Sequence, residues 1–204
     1  MQARLEAQKA SPAAYQAMLG LETFVRKQSK LEPALIQLVK MRASQINGCA
    51  YCIDMHSKDA RSEGETEQRI YALSAWEETP FFTDRERAAL ALTEAITLVS
   101  QGHVPDAVYE KVRKSFSEEE LVNLTLAIIT INGWNRLAIT FRMVVGRAPA
   151  WKEVTRCDRV GRFYKSPEDV HAAGCNESTT KLANYCEEQR SAGSCSGEIK
   201  RRER

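Results

Sequence analysis

Apolar residues recur at helical spacing along most of the chain, and polar or glycine signals mark where each run stops. Over 12–28, Tyr15, Met18, Leu19, Leu21, Phe24 and Val25 keep a helical spacing. Ser11 is a candidate cap, and Pro12 suits a first helical turn. Residues 32–46 place Leu35, Leu38, Val39, Met41 and Ile46 at apolar positions, and Asn47-Gly48 is a stop signal. A third helix starts near Cys49 or Ala50 and runs to Glu63, with Gly64 ending it. A fourth covers about 65–77 and closes at Thr79-Pro80. Thr83-Asp84-Arg85-Glu86 is a capping box that opens a fifth helix through about Ser100, stopped by Gly102. Pro105 begins a sixth, about 105–115. Ser117-Glu118-Glu119-Glu120 is a second capping box. It opens a long apolar helix, about 118–142, carrying Leu121, Leu124, Ile128, Ile131, Leu137 and Phe141. Gly133 within it either bends the helix or lets another backbone come close. No segment of this stretch alternates for long as a strand would. The pattern predicts an all-α bundle of six or seven helices with short connections.

The pattern changes near Gly146. Residues 150–204 hold only Val154, Val160, Phe163, Val170, Leu182 and Ile199 as Val, Ile, Leu, Met or Phe side chains. So few cannot build an independent core. The chain therefore divides into a helical domain, 1–148, and a C-terminal extension, 149–204, expected to be partly disordered. Short helices at about 166–173 and 177–190 are its candidate elements. The closing basic run, Lys200 to Arg204, reads as a solvated terminus.

Composition supports one folded domain with an appendage. Hydrophobic residues make up 43% and charged residues 27%, which suffices for a core. The net charge of +2, from 29 basic and 27 acidic residues, gives no electrostatic footprint for nucleic acid or an anionic membrane. No apolar run reaches the roughly 18 residues of a membrane span. The N-terminus lacks the apolar core of a secretory peptide, so a cytoplasmic location is expected.

The six cysteines change the picture more. Cys157, Cys175, Cys186 and Cys195 are widely spaced and form no motif. Cys49 and Cys52 form a C-x-x-C, and in a reducing compartment such a pair is redox-active or metal-binding rather than a structural staple. In Cys49-Ala50-Tyr51-Cys52-Ile53-Asp54-Met55-His56, a helix starting at the first thiol brings Cys49, Cys52 and His56 near one face. Unpaired N–H groups of the first turn, the neighbouring thiol and His56 can each favour a thiolate. A thiolate attacks the O–O bond of a peroxide and becomes a sulfenic acid. The second thiol condenses with it to a disulfide, and an external dithiol reduces the pair. The helix dipole favours Cys49 as the lower-pKa thiol.

The run from Leu35 to His56, with Ser44-Gln45-Ile46-Asn47-Gly48 before the first cysteine, closely resembles the core of the AhpD-like alkylhydroperoxidases, within the wider carboxymuconolactone decarboxylase family. Lys58-Asp59-Ala60-Arg61, the helix start Thr83 to Arg87 and Asn132-Gly133-Trp134-Asn135-Arg136 are similar to that family too. The resemblance covers about residues 12–145. It implies an all-helical fold, assembly into homotrimers or homohexamers, and peroxiredoxin-type activity on hydrogen peroxide or organic hydroperoxides. It also implies that Cys52 attacks the peroxide, that Cys49 resolves, that His56 belongs to a proton relay, and that a dithiol protein or small thiol reduces the pair without a bound cofactor. Two positions depart from the characterised enzymes. Gln37 stands where they have a glutamate base, and Tyr51 stands where they have a histidine. Both become site-lining candidates. General-base assistance is worth about 10²–10⁴-fold, so weaker or differently tuned turnover is expected, with Gln37→Glu raising it.

Other readings stand beside this one. Cys49, Cys52 and His56 are three ligands of suitable type for zinc, with a fourth needed from His103, a tail cysteine or water. A decarboxylase acting on a carboxymuconolactone-like substrate is the rival enzyme, although that chemistry does not need two cysteines. A non-enzymatic thiol sensor with the same fold is the third. Asp54 reads as a favourable first-turn carboxylate, His103 as a loop residue, Trp134 as core or interface, and Arg136 as a partner for an acid on another helix.

Overall fold

The computed structural model describes residues 2–146 and, beyond them, residues 156–157 and 163–164. The expected helices at about 166–173 and 177–190, the expected disorder, the terminal basic run, His171, Cys175, Cys186 and Cys195 lie outside the described residues.

The fold is all-α, as the periodicity predicts. A short α1 (Ala7–Ala10) leads into α2 (Pro12–Lys27), α3 (Pro33–Asn47), α4 (Ala50–Ser62) and α5 (Glu67–Ala72). A 3₁₀ turn (Leu73–Glu78) follows, then α6 (Asp84–Thr97), α7 (Val99–Gly102), α8 (Asp106–Arg113) and α9 (Glu118–Phe141). Both predicted capping boxes form, Thr83 with Glu86 and Ser117 with Glu120, each exchanging side-chain and backbone bonds. Beyond the bundle, β1 (Arg156–Cys157) pairs antiparallel with β2 (Phe163–Tyr164). A ladder that short has no alternation to read.

Several boundaries differ from the pattern for local reasons. Ser11 makes no side-chain cap bond, because its backbone (φ −143°, ψ 81°) lies outside the usual cap geometry. The fourth predicted helix is two pieces: α5 ends at Ala72 and a tighter turn continues it, with Ala75 out of helical geometry. The fifth breaks at Leu98 into α6 and α7. Gly133 neither bends α9 nor admits a backbone. A Cβ there would sit 2.9 Å from the Met18 methyl, so it is a side chain that packs into the gap.

α3 is the central element. Its residues Leu35 to Met41, with Ala43 and Ser44, are all buried. One apolar cluster joins it to α2, α6, α8 and α9 through Val25, Val39, Leu92, Val112 and Ile128. A second joins it to the α4–α6 side through Leu38, Met41, Leu73, Trp76 and Leu90. Among the described residues, no helix is long and apolar enough to cross a membrane.

Candidate functional site

The turn from α3 to α4 makes the site. Gly48 takes a left-handed conformation (φ 67°), which glycine adopts at little cost. Its N–H donates to the Gln45 carbonyl at 3.2 Å, and the Cys49 N–H donates to the Ser44 carbonyl at 2.9 Å. That closure sets Cys49 as the N-cap of α4, where its sulfur accepts the Cys52 N–H at 3.4 Å. A thiol thus occupies the place a serine or aspartate oxygen commonly fills. Cys49 and Cys52 are free thiols, exposed by only 1% and 2%.

Around the sulfurs, α9 and α3 supply amides and a hydroxyl. Asn135 hydrogen-bonds both thiols and Ser44 hydrogen-bonds Cys52. The Asn135 amide also donates to Ser44 Oγ at 3.0 Å. Asn47 Nδ2 donates to Asn132 Oδ1 and Asn135 Oδ1, each at 2.9 Å, tying the end of α3 to α9. Tyr51, Trp134 and Met143 pack over the cluster of Cys49, Cys52, Ala43, Ile131 and Ala138. Tyr15 meets Trp134 edge-on with centroids 5.2 Å apart. Tyr51 is therefore part of the cover. Its phenol is pushed up to about 12, by burial first and then by Tyr15, Cys52 and Cys49, so it keeps its proton at neutral pH.

The two thiols ionise unequally. The Cys52 thiol donating to Cys49 is the main cause that brings Cys49 down to about 7; burial opposes it, and the Cys52 N–H and Asn135 assist. The same contact, with burial and the Cys49 charge, pushes Cys52 strongly up. His56 lies 1% exposed, and burial, then Lys40, then Arg26 hold it well below its ordinary range, against Glu22. A neutral imidazole is available as a proton acceptor.

Gln37, predicted as site-lining from the resemblance, faces that imidazole. Its Oε1 lies 3.1 Å from His56 Nδ1, and its Nε2 donates to Glu63 Oε1 at 3.4 Å. Beneath them lies a buried charged layer. Arg26 donates to Glu22 at 2.6 Å and to Asp59 at 2.8 Å, and Lys40, with no exposure, donates to Glu22. Burial would raise Glu22, but Lys40, then Arg26, hold it at about 2. The sequence reading missed this layer, together with Ser44 and Asn135. Two signals were present: Gln37 and Lys40 interrupt the otherwise apolar run from Leu35 to Met41, and Asp59 follows Cys52 and His56 at steps of four and three.

The readings of Asp54 and Arg136 are corrected. Asp54 lies past the first turn of α4, pairs with Lys58 at 2.8 Å and accepts the Gly146 N–H at 3.2 Å. Arg136 donates within its own helix, to the Asn132 carbonyl at 2.9 Å, and pairs with no acid among the described residues. His103 ends α7 on the surface with φ 55°. Among the described residues, no group of three or more His, Cys, Asp or Glu side chains is placed to hold a metal ion.

Comparison with known proteins agrees with this architecture. Residues 12–95 match the carboxymuconolactone decarboxylase family. The uncharacterized protein YdfG of Bacillus subtilis is 47% identical over 139 residues, spanning 68% of this chain and 94% of that protein. The solved structure of ATU0492 from Agrobacterium tumefaciens, a protein of unknown function described as a candidate antioxidant defence protein AhpD, is 44% identical with a TM-score of 0.70. The match covers 72% of this chain and 100% of that one. An uncharacterized peroxidase-related protein from Silicibacter shares the fold (TM-score 0.61) at 20% identity, over 69% of this chain and 76% of its own. With its central α3, its helix-capping dithiol and these relatives, the chain belongs to the carboxymuconolactone decarboxylase family and has the AhpD-like fold.

Proposed function

We propose that this protein is a thiol-dependent peroxidase, reducing hydrogen peroxide or organic hydroperoxides through a Cys49/Cys52 dithiol–disulfide cycle assisted by His56. The carrying observation is a free thiol at the cap of α4, Cys49, held by the Cys52 N–H and thiol, with the neutral His56 imidazole one turn beyond Cys52. In the resting pair the negative charge sits on Cys49 and the remaining proton on Cys52. His56 takes that proton as Cys52 attacks the peroxide O–O bond, giving a Cys52 sulfenic acid. The imidazolium returns the proton to the leaving oxygen, which departs as water or alcohol. The Cys49 thiolate, already in contact, displaces hydroxide from the sulfenic sulfur as the disulfide closes, and the hydroxide takes a proton from solvent and leaves as water. An external dithiol, protein or small molecule, reduces the disulfide and is itself oxidised.

A reducing, cytoplasmic setting suits this cycle, because the pair must be regenerated. Assembly into trimers or hexamers is part of the same reading. Val122, Ile129 and Ile139 leave apolar surface exposed on α9. The decarboxylase alternative gives no role to a contacting thiol pair. A redox sensor would keep the disulfide step without turnover.

The test is limiting peroxide added to the reduced protein, with the products mapped by mass spectrometry alongside Cys52→Ser. A Cys49–Cys52 disulfide, absent in the variant, with multiple turnovers once a dithiol is supplied, is expected. Disulfide without turnover would leave the sensor. No modification at either cysteine would sink the proposal.

A further inference from the structure

Cys52, His56 and Asp59 lie along one buried face of α4, at steps of four and three residues. Two acceptors converge on the same ring nitrogen of His56. Gln37 Oε1 is 3.1 Å from Nδ1, and Asp59 Oδ2 is 3.8 Å from it. The first is a hydrogen bond, and the second is a close electrostatic contact too long to be one.

Neither acceptor can readily turn into a donor. The Gln37 carboxamide is oriented from behind: its Nε2 donates to Glu63 Oε1, and a carboxylate only accepts. A flipped amide would set its oxygen against Glu63 and its NH₂ toward Nδ1. Asp59 is held by the Arg26 guanidinium at 2.8 Å, and Arg26 is anchored in turn on Glu22, which also takes Lys40. Among the described residues, the groups facing His56 are Glu22 and Arg26 from α2, Gln37 and Lys40 from α3, and Cys52 and Asp59 from its own helix. Two cations face two anions, so a neutral imidazole leaves the layer balanced.

We propose that Asp59 is a positioning residue of the dithiol site: with Gln37 it fixes His56 as the Nδ1–H tautomer and leaves Nε2 as the nitrogen that takes a thiol proton. This rests on the peroxidase reading for its chemistry, but the tautomer itself does not. When the proton moves from Cys52 to Nε2, a thiolate and an imidazolium form together. Asp59 then faces a cation across the 3.8 Å gap, and the contact tightens at the step that needs it. A carboxylate behind a histidine acts in this way in hydrolytic triads, orienting the ring and stabilising its cation without taking the proton.

The decisive measurement is long-range ¹H–¹⁵N correlation on the full-length, ¹⁵N-labelled, reduced protein near pH 7.5. His56 is one of three histidines, so a His56→Gln sample assigns its signals. A protonated Nδ1 and a bare Nε2 are expected; the opposite tautomer overturns the proposal. The second readout is the rate of Cys49–Cys52 disulfide formation with hydrogen peroxide as a function of pH. Asp59→Asn should slow it by about 10²-fold across the neutral range. A rate within twofold of native, with an unchanged pH profile in a folded variant, also overturns it. If Asp59→Asn does not fold, the native tautomer still decides. If the native protein forms no disulfide at all, the peroxidase reading fails and the tautomer result stands on its own.

Discussion

A cysteine that caps its own helix has its anion held by the residue with which it would later form a bond. Cys49 accepts both the backbone N–H and the thiol of Cys52, and that contact heads the causes bringing it down to about 7. Thiolate absorbance should therefore rise with pH through a midpoint near 7 for one sulfur per chain. In Cys52→Ala the midpoint should move up toward the ordinary thiol value of about 8.5, because the donor is gone. An unchanged midpoint would assign the stabilisation to the backbone alone. Gln37 brings a correction of detail. A carboxylate at that position would lie beside Glu63, whose oxygen is 3.4 Å from the present amide. Like charges so placed push one pKa up and return a proton to the pair. Gln37→Glu alone should thus gain little peroxide turnover, whereas Gln37→Glu with Glu63→Gln should gain more; steady-state rates of the two variants decide.

At the scale of the element, the turn between α3 and α4 sets the geometry of the chemistry. Nothing lies within 4 Å of a Cβ built on Gly48, so a substitution there meets only backbone strain from φ 67°. Gly48→Ala should lower unfolding free energy by about 1–2 kcal/mol, read by urea titration, and Gly48→Asn by less. This turn, like the two capping boxes, was legible in the sequence because local rules govern it. Asn47-Gly48 is a stop whatever surrounds it, and Thr83/Glu86 and Ser117/Glu120 close on themselves. The long α9 was legible for the same reason, through sustained periodicity. The buried charges were not. Lys40 and Gln37 look like solvent-facing residues until α2 and α4 close over them. Their partners, Glu22 at 18 positions and Glu63 at 26 positions away in sequence, are contacts that only the packed bundle makes. The break at Ala75 was hidden too, since no proline or glycine marks it.

Across the whole molecule, the ionic layer joins three helices at the centre of the bundle. Removing one member leaves the others charged and without compensation. Lys40→Met should cost about 3–5 kcal/mol in urea unfolding, while Lys40→Met with Glu22→Gln should recover much of it, since the buried charges then leave together. Equal losses in both variants would show that shape, not charge, is what Lys40 contributes. The cover over the sulfurs has a different consequence, one of rate. Disulfide exchange needs an incoming sulfur in line with the bond it breaks, and Cys49 and Cys52 present only 1% and 2% of their surface. Tyr51, Trp134 and Met143 pack against the same cluster within the chain. A peroxide of a few atoms needs only a brief gap, but a protein reductant needs the cover to stand open. The lifetime of that opening places a ceiling on the cycle, so oxidation and reduction of the same two atoms would be timed by different motions.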